Sequence, residues 1–327
     1  MDEGELNKPL CCWVMSEGHA GMENQALGLA ERLGLEPEIK RVKPRVPWVW
    51  LPSGWWPAPM SALGPDSDKI TAPWPDLLIS SGRRSVPYSI HIGRQAGRSC
   101  FRVHIQNPQC ALRHFDLIAA PLHDNLSGEN VVGTLGALHR VTSKRLALEA
   151  EKFRDLLTDL PRPLVSVLIG GNSRTYQLTA EIMTKLCDRL GNWASEQGAG
   201  LAITPSRRTG AENIEMLKQR FTGSNSFVWD FEGENPYFGF LGLADYIVVT
   251  SDSVSMMSEA MSTGKPIYVI DLEGGSRKFD DFHQCIRSKG ITRRLSGKLE
   301  SWSYDPIDET GRVADVVRAM LTEAGVY

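Results

Sequence analysis

The sequence predicts an α/β protein built from two doubly wound domains. Three observations carry this: short apolar runs separated by helical periods along the chain, a proline-broken junction near its middle, and a near-continuous apolar run just after that junction. Its 327 residues also suit two domains of roughly 150 residues each.

The first apolar run, Cys11-Cys12-Trp13-Val14-Met15, reads as a buried strand. It passes through Ser16-Glu17-Gly18-His19-Ala20-Gly21 into a helix over Asn24 to Leu33, whose apolar residues share one face, and Gly34 stands where a helix closes. Ile39 to Val42 reads as a second strand, and Pro44 to Pro75, rich in Pro, Gly, Ser and Trp, as a long loop. Further strands are expected at Leu77-Leu78-Ile79, Phe101 to Ile105, Leu117-Ile118-Ala119 and Val131-Val132, with a helix ahead of Gly97. A helical stretch from Thr142 to Leu160 stops at Pro161-Arg162-Pro163, because proline cannot continue a helix, and this sets the expected domains at 1–160 and 161–327.

The second half opens with Leu164 to Ile169, apolar enough for a parallel strand buried on both faces, followed by Gly170-Gly171-Asn172. Strands at Leu201 to Thr204, Phe227 to Trp229, Tyr246 to Thr250 and Ile267 to Ile270 alternate with helices over Thr179 to Leu190, up to Phe221, and over Ser253 to Met261. Glu273 to Phe279 reads as a mobile loop whose Arg277 and Lys278 could close over phosphates. The last helix, Asp315 to Ala324, could pack on either domain.

Composition narrows the function. With 42% hydrophobic and 23% charged residues and no run approaching the about 18 apolar residues of a membrane span, a soluble or peripheral protein is expected. Met1 to Leu10 lacks the basic-then-apolar layout of a secretory signal, which points to the cytoplasm, with the inner face of the membrane as a peripheral location. The net charge of −3 gives no electrostatic case for nucleic acid. Six cysteines without a C-x-x-C pair, and no clustered histidines, read as reduced structural thiols, so no metal or cofactor is expected. Asp66-Ser67-Asp68 has a metal-binding form but sits in turn-rich composition, so it reads as a turn.

In open α/β sheets ligands gather beyond the C-terminal strand ends, where helix N-termini expose backbone N–H groups. That rule selects Ser16 to Gly21 in the first domain and, in the second, Gly170 to Arg174, Thr204 to Arg208 and Thr250 to Ser255. Gly170 and Gly171 could let the backbone approach an anion, beside a plain strand turn as the other reading; Arg174 and the pair Arg207-Arg208 supply cations. Ser253, Val254 and Ser255 open a helix that carries Glu259 two turns in.

Ser255 to Pro266, in the form Ser-x-x-Ser-Glu-Ala-x-x-x-Gly-x-Pro, resembles the nucleotide-sugar site of glycosyltransferase-B enzymes such as the lipid-linked peptidoglycan precursor transferase. The resemblance implies two Rossmann-like domains facing a cleft, Glu259 as ribose ligand, helix-terminal N–H groups at Ser253, Val254 and Ser255 for the diphosphate, and Gly170, Gly171 and Asn172 beside the phosphates. Over nearly the whole chain the sequence is similar to the mitochondrial-fission-protein-like family, whose bacterial members are often labelled predicted nucleoside-diphosphate-sugar epimerases. The carrying segments are Gly18 to Ala30, Pro75 to Arg84, Ile105 to Pro108, Leu168 to Asn172 and Thr250 to Met256. Plant members are described as organelle-division adaptors, which leaves a binding protein open beside an enzyme. An epimerase using a nicotinamide cofactor is disfavoured, since neither a Gly-x-Gly-x-x-Gly fingerprint nor a Tyr-x-x-x-Lys pair is present.

Metal-independent glycosyl transfer needs a base for the acceptor hydroxyl and positive or dipolar groups for the departing diphosphate. His19, on a glycine-flanked loop, is the candidate base; Asn24 and Gln25 could orient the acceptor, and Arg83, Gln106 and Asn107 stand at first-domain strand ends where they could read it. Trp48, Trp50, Trp55 and Trp56, near Lys43 and Arg45, suit a membrane interface where a lipid-linked glycan acceptor would be presented, or else a packed loop core.

Overall fold

The computed structural model describes residues 10–223 and 225–325. Met1 to Pro9, most of the segment read above for a targeting signal, lie outside the described residues. The chain divides into two compact units, residues 1–140 with 308–327, and residues 141–307.

The first unit contains β1 (Cys12–Ser16), α1 (Ala20–Arg32), β2 (Glu38–Arg41), β3 (Leu77–Ser81), α2 (Val86–Ala96), β4 (Phe101–Ile105), β5 (Leu117–Pro121) and β6 (Val131–Thr134). Its six strands lie in the order β2-β1-β3-β4-β5-β6, and every pairing is parallel. Side chains alternate across a strand, so β1 feeds two cores at once. Cys12 and Val14 pack with Leu77, Ile79 and α1 on one face, while Trp13 and Met15 pack with Leu78, Tyr88 and Ile92 on the other. The C-terminal helix, Glu309–Glu323, completes the first face by burying Val313, Ala314, Val317 and Leu321 there.

The second unit runs α3 (Ser143–Phe153), β7 (Leu164–Ile169), β8 (Tyr176–Gln177), α4 (Ala180–Gln197), β9 (Gly200–Pro205), α5 (Ala211–Arg220), β10 (Ser226–Val228), α6 (Tyr237–Leu243), β11 (Tyr246–Thr250), α7 (Val254–Met261), β12 (Ile267–Ile270), β13 (Glu273–Gly274), α8 (Arg277–Ser288) and β14 (Thr292–Arg294). Its parallel six-stranded sheet has the order β10-β9-β7-β11-β12-β14. A separate antiparallel pair joins β8 to β13.

Three expectations are corrected. The boundary falls at Val141 rather than after residue 160, because α3 packs on α6: a Cβ on Gly239 would lie 2.9 Å from the Glu149 carbonyl, and one on Gly242 would lie 2.6 Å from that of Leu146. Only glycines allow that approach. The C-terminal helix returns to the first unit, so the segment 161–327 is not one domain. The expected loop at 273–279 is a short strand followed by α8, whose Phe282, His283 and Ile286 are buried at helical spacing.

Candidate functional site

In the second sheet β7 and β11 are neighbours, but the chain leaves β7 toward β9 and β10, and leaves β11 toward β12 and β14. Such a reversal of strand order opens a crevice at the strand ends, the place where α/β sheets take ligands. The loops after β7 and β11 flank it.

The loop after β7 is tied inward. Gly170 N–H donates to Thr250 Oγ1 at 2.8 Å, Gly171 N–H to Asp252 Oδ2 at 2.9 Å, and Asn172 N–H to the Arg208 carbonyl at 3.0 Å. The Asn172 side chain accepts from Leu178 N–H at 2.8 Å. A Cβ on Gly170 would lie 2.1 Å from the Asp252 carboxylate, and one on Gly171 the same distance from the Arg208 carbonyl. These glycines admit neighbouring protein. The expectation that Gly170, Gly171 and Asn172 cradle phosphate is therefore corrected, since all three N–H donors are already spent.

Asp252, whose side chain is fully buried, holds the knot together. It accepts from Thr250 Oγ1 at 2.6 Å and pairs with Arg208 at 2.8 Å, so a single carboxylate joins the ends of β7, β9 and β11. Arg208 is thereby a structural partner. Arg174 and Arg207 stand exposed at the ends of β7 and β9.

The helix after β11 is open where the glycine loop is not. Ser253 is the N-cap of α7, its hydroxyl accepting from Met256 N–H at 3.4 Å. The N–H groups of Val254 and Ser255 belong to the first helical turn, which has no intrahelical acceptors. Glu259 lies four residues beyond Ser255, hence on the same face and about 6 Å further along the axis. Its carboxyl accepts from the Tyr237 hydroxyl at 2.5 Å, and among the described residues no cation pairs with it. Burial raises its pKa to about 7, opposed in part by the Tyr237 hydrogen bond. Burial together with the Glu259 charge drives the Tyr237 pKa well above that of a free tyrosine. Tyr237 sits on α6, whose C-terminal carbonyls at Leu241 and Gly242 both accept from Lys265 Nζ at 2.7 Å. Desolvation lowers the Lys265 pKa to about 8.

Strands β8 and β13 join the loops that follow β7 and β12, the two neighbours of β11, and Tyr176 reaches the Ser251 side chain. His283 of α8 donates from Nε2 to the Ser251 carbonyl at 2.8 Å. The turn that launches α7 is thus held from two sides. Arg277, 95% exposed, begins α8 at 3.9 Å from Asp281.

The first sheet reverses between β1 and β3. Both strands leave through left-handed glycines, Gly18 at φ 82° and Gly82 at φ 90°. His19 is the N-cap residue of α1, 66% exposed at its side chain, with Nε2 4.0 Å from Glu17 Oε2. Glu17 is 10% exposed and binds Arg84 twice, accepting from its backbone N–H at 3.1 Å and its guanidinium at 3.2 Å. Glu23 closes the other side, taking two hydrogen bonds from Arg41 and one from Ser16; the Arg41 contacts lower its pKa.

Of the residues expected to face an acceptor, Arg83 is exposed and Asn24 half-buried. Gln25 is buried, and its amide donates to the Gly21 carbonyl at 3.1 Å, so it braces α1 instead of meeting a ligand. Gln106 holds a left-handed backbone at φ 79°, and Asn107 accepts from Gln109 N–H at 2.8 Å in a local turn. Asp68 and Ser67 accept from Arg41 and Lys43 N–H, a fastening for the chain leaving β2. Among the described residues no three His, Cys, Asp or Glu side chains converge on a metal position. Among the described residues no helix is long and apolar enough to cross a membrane.

His19 came from the strand-end loop rule and Glu259 from the family resemblance. Tyr237, Asp252 and Glu17 came from neither. Asp252 and Glu17 stood inside loops already selected, but Tyr237 lies on a helix the sequence did not reveal.

The profile of the family described as "Mitochondrial fission ELM1" matches residues 20–321. "Mitochondrial fission protein ELM1" of Arabidopsis thaliana is 32% identical over 278 residues, 77% of this chain and 65% of that protein, so the match spans less than two thirds of its length. Among solved structures, UDP-GlcNAc 2-epimerase of Methanocaldococcus jannaschii in complex with UDP-GlcNAc and UDP aligns at TM-score 0.56 and 9% identity, covering 95% of this chain and 99% of that one. The glycotransferase of kitacinnamycin aligns at TM-score 0.53 and 12% identity, covering 96% and 99%. At such identities the likeness establishes the glycosyltransferase-B type of fold and nothing further.

Proposed function

The chain belongs to the mitochondrial fission ELM1 family, and from that premise we propose that its second unit binds a nucleoside-diphosphate sugar, which the protein transfers to an acceptor without a metal ion. Carrying this reading is one observation: a half-buried glutamate with no cationic partner, its pKa raised to about 7, on the helix that starts at the strand-order reversal. Glu259 receives the ribose hydroxyls. The N–H groups of Val254 and Ser255, with Arg174 and Arg207, take the diphosphate. His19 removes the acceptor proton, with Glu17 steadying the imidazolium that results. Arg83, Gln106 and Asn107 contact the acceptor, for which a lipid-linked glycan is one class.

A second reading, rearrangement of the same donor, draws on the fold shared with the UDP-GlcNAc 2-epimerase of Methanocaldococcus jannaschii. Since epimerases and a transferase share this fold, the lack of a dinucleotide fingerprint does not separate them. A third, non-catalytic binding, rests on the adaptor role that the family resemblance implies for plant members.

The test is a thermal-shift and calorimetric panel of UDP, GDP, ADP, CMP and their sugar conjugates on wild type and Glu259→Ala. A ligand at a hundred times its Kd stabilises the folded state by about 2.7 kcal/mol. Selective stabilisation by one nucleotide, absent from the variant, is expected; a flat response across the panel sinks the donor site. Product analysis then divides the readings: released nucleotide that depends on acceptor marks transfer, an isomerised sugar without acceptor marks rearrangement, and binding without turnover marks the adaptor.

A further inference from the structure

The segment between β2 and β3 sorts its tryptophans by side. Trp56 is buried, edge-on to Tyr88 at 5.8 Å, and Trp48 packs against the same core with its ring 5.7 Å from that of Trp56. Of the two readings left open for these four, the packed loop core holds for Trp48 and Trp56, which corrects their place at a membrane interface: they are the loop's anchors. By contrast Trp50 and Trp55 are 75% and 79% exposed, with Val46 at 59% and Leu51 at 41% beside them.

These four do not hang from a slack loop. Two single-turn helices, Trp48–Trp50 and Ser53–Trp55, each send one end toward the core and leave a tryptophan outside. Pro44 bridges to Leu63, and Arg45 N–H donates to the Ala62 carbonyl at 2.9 Å. An ordered platform thus holds large apolar side chains in water, an arrangement that marks an interaction surface.

Charge identifies the occupant. No acidic residue occurs between Arg41 and Asp66, although the chain as a whole carries −3. Lys43 and Arg45 are exposed there and join no ion pair among the described residues. Indoles at the tips of turns, flanked by unpaired cations, match the interfacial layer of an anionic bilayer, where the rings enter the headgroup region and the cations meet lipid phosphates. The exposed residues lie on two tight turns, not on one helix face or strand edge, so they offer neither a helix for a protein groove nor an edge for strand addition.

We infer that this surface, Trp50 and Trp55 with Val46, Leu51, Lys43 and Arg45, docks the protein reversibly on an anionic membrane. It belongs to the first unit and does not depend on the nucleotide reading. Two weak signals act together, an apolar wedge and a basic flank, and neither alone holds a protein on a membrane.

The experiment is co-sedimentation of the full chain with phosphatidylcholine vesicles, with and without phosphatidylglycerol, alongside quenching of tryptophan fluorescence by brominated lipid. Wild type is expected to bind the anionic vesicles and be quenched, with binding weakened by salt. Replacing both Trp50 and Trp55 by Ser is expected to lower binding at least tenfold. Lys43→Gln with Arg45→Gln should remove the preference for phosphatidylglycerol, and each single variant should show a smaller loss in the same direction. Because these side chains are exposed, the unfolding midpoint should stay at the wild-type value. Wild type that ignores both vesicle types, or a double tryptophan variant that binds as wild type does, overturns the inference and assigns the patch to a protein partner. Nucleotide binding, read separately by calorimetry, stays intact in every one of these variants, so failure here leaves the donor site standing.

Discussion

The two strand-order reversals in this chain are built alike and finished differently. At the reversal between β7 and β11, three successive N–H groups of a glycine-containing loop are consumed by Thr250, Asp252 and Arg208, and the open donors belong to α7. At the reversal between β1 and β3, the glycines serve backbone direction, and the loop ends in an exposed histidine next to a nearly buried glutamate. A glycine-rich strand end is thus a ligand cradle only when its donors are unspent. In the second unit, close packing against Asp252 and Arg208 spent them.

Breaking the knot at the second reversal should have the largest effect. Asp252→Ala strands the buried Gly171 N–H and Thr250 hydroxyl donors and leaves the half-buried Arg208 without its carboxylate, and each buried donor left unpaired costs about 1–3 kcal/mol. Denaturant unfolding should show that loss, and a value under about 1 kcal/mol would mean the loops hold without it. Gly171→Ala should come next, losing at least about 2 kcal/mol by the same measurement, because its Cβ would sit 2.1 Å from a carbonyl oxygen.

Glu259→Gln sharpens the comparison through pH. The folded-state pKa of Glu259, about 7, lies above the ordinary value of 4.5. Its contribution to stability is therefore fully present below pH about 4.5 and lost as pH rises through 7. Wild type and variant should be similar at pH 5, and the variant should be more stable by up to about 3 kcal/mol at pH 8.5. Parallel stability curves for the two proteins would contradict the burial of this carboxyl. The smallest effect belongs to the first reversal: Gly18→Ala should cost about 1–2 kcal/mol, for backbone strain alone, since the nearest atom to its Cβ is Arg41 Cδ at 3.5 Å.

Much of this was legible in the sequence because parallel strands are continuous apolar runs. Leu164 to Ile169 and Leu77 to Ile79 announced buried strands, and the glycine and hydroxyl turns marked their ends. Helix α6 was hidden: seven residues with two glycines and a preceding proline look like a loop, and its helical form depends on packing against α3. Helix α8 was masked by Gly274-Gly275, although the spacing of Phe282 and Ile286 was there to be counted. Buried loop carboxylates such as Asp252 and Glu17 leave no periodic signal, because their partners arrive from strands far along the chain. Glu259 stood out only through its resemblance to a known site; a helical glutamate on its own reads as solvated. Tyr237, the group that holds it, became visible only with α6.

The most direct test of the donor site is calorimetric titration of UDP-GlcNAc at pH 6 and pH 8 into wild type and Glu259→Gln. Ribose hydroxyls donate to the ionised carboxylate, and with a pKa of about 7 the competent form falls about tenfold between those pH values. Wild-type affinity should be about tenfold weaker at pH 6 than at pH 8, and the variant should bind weakly and independently of pH. Equal affinity at both pH values in wild type, or a variant that binds as tightly, would contradict this donor site.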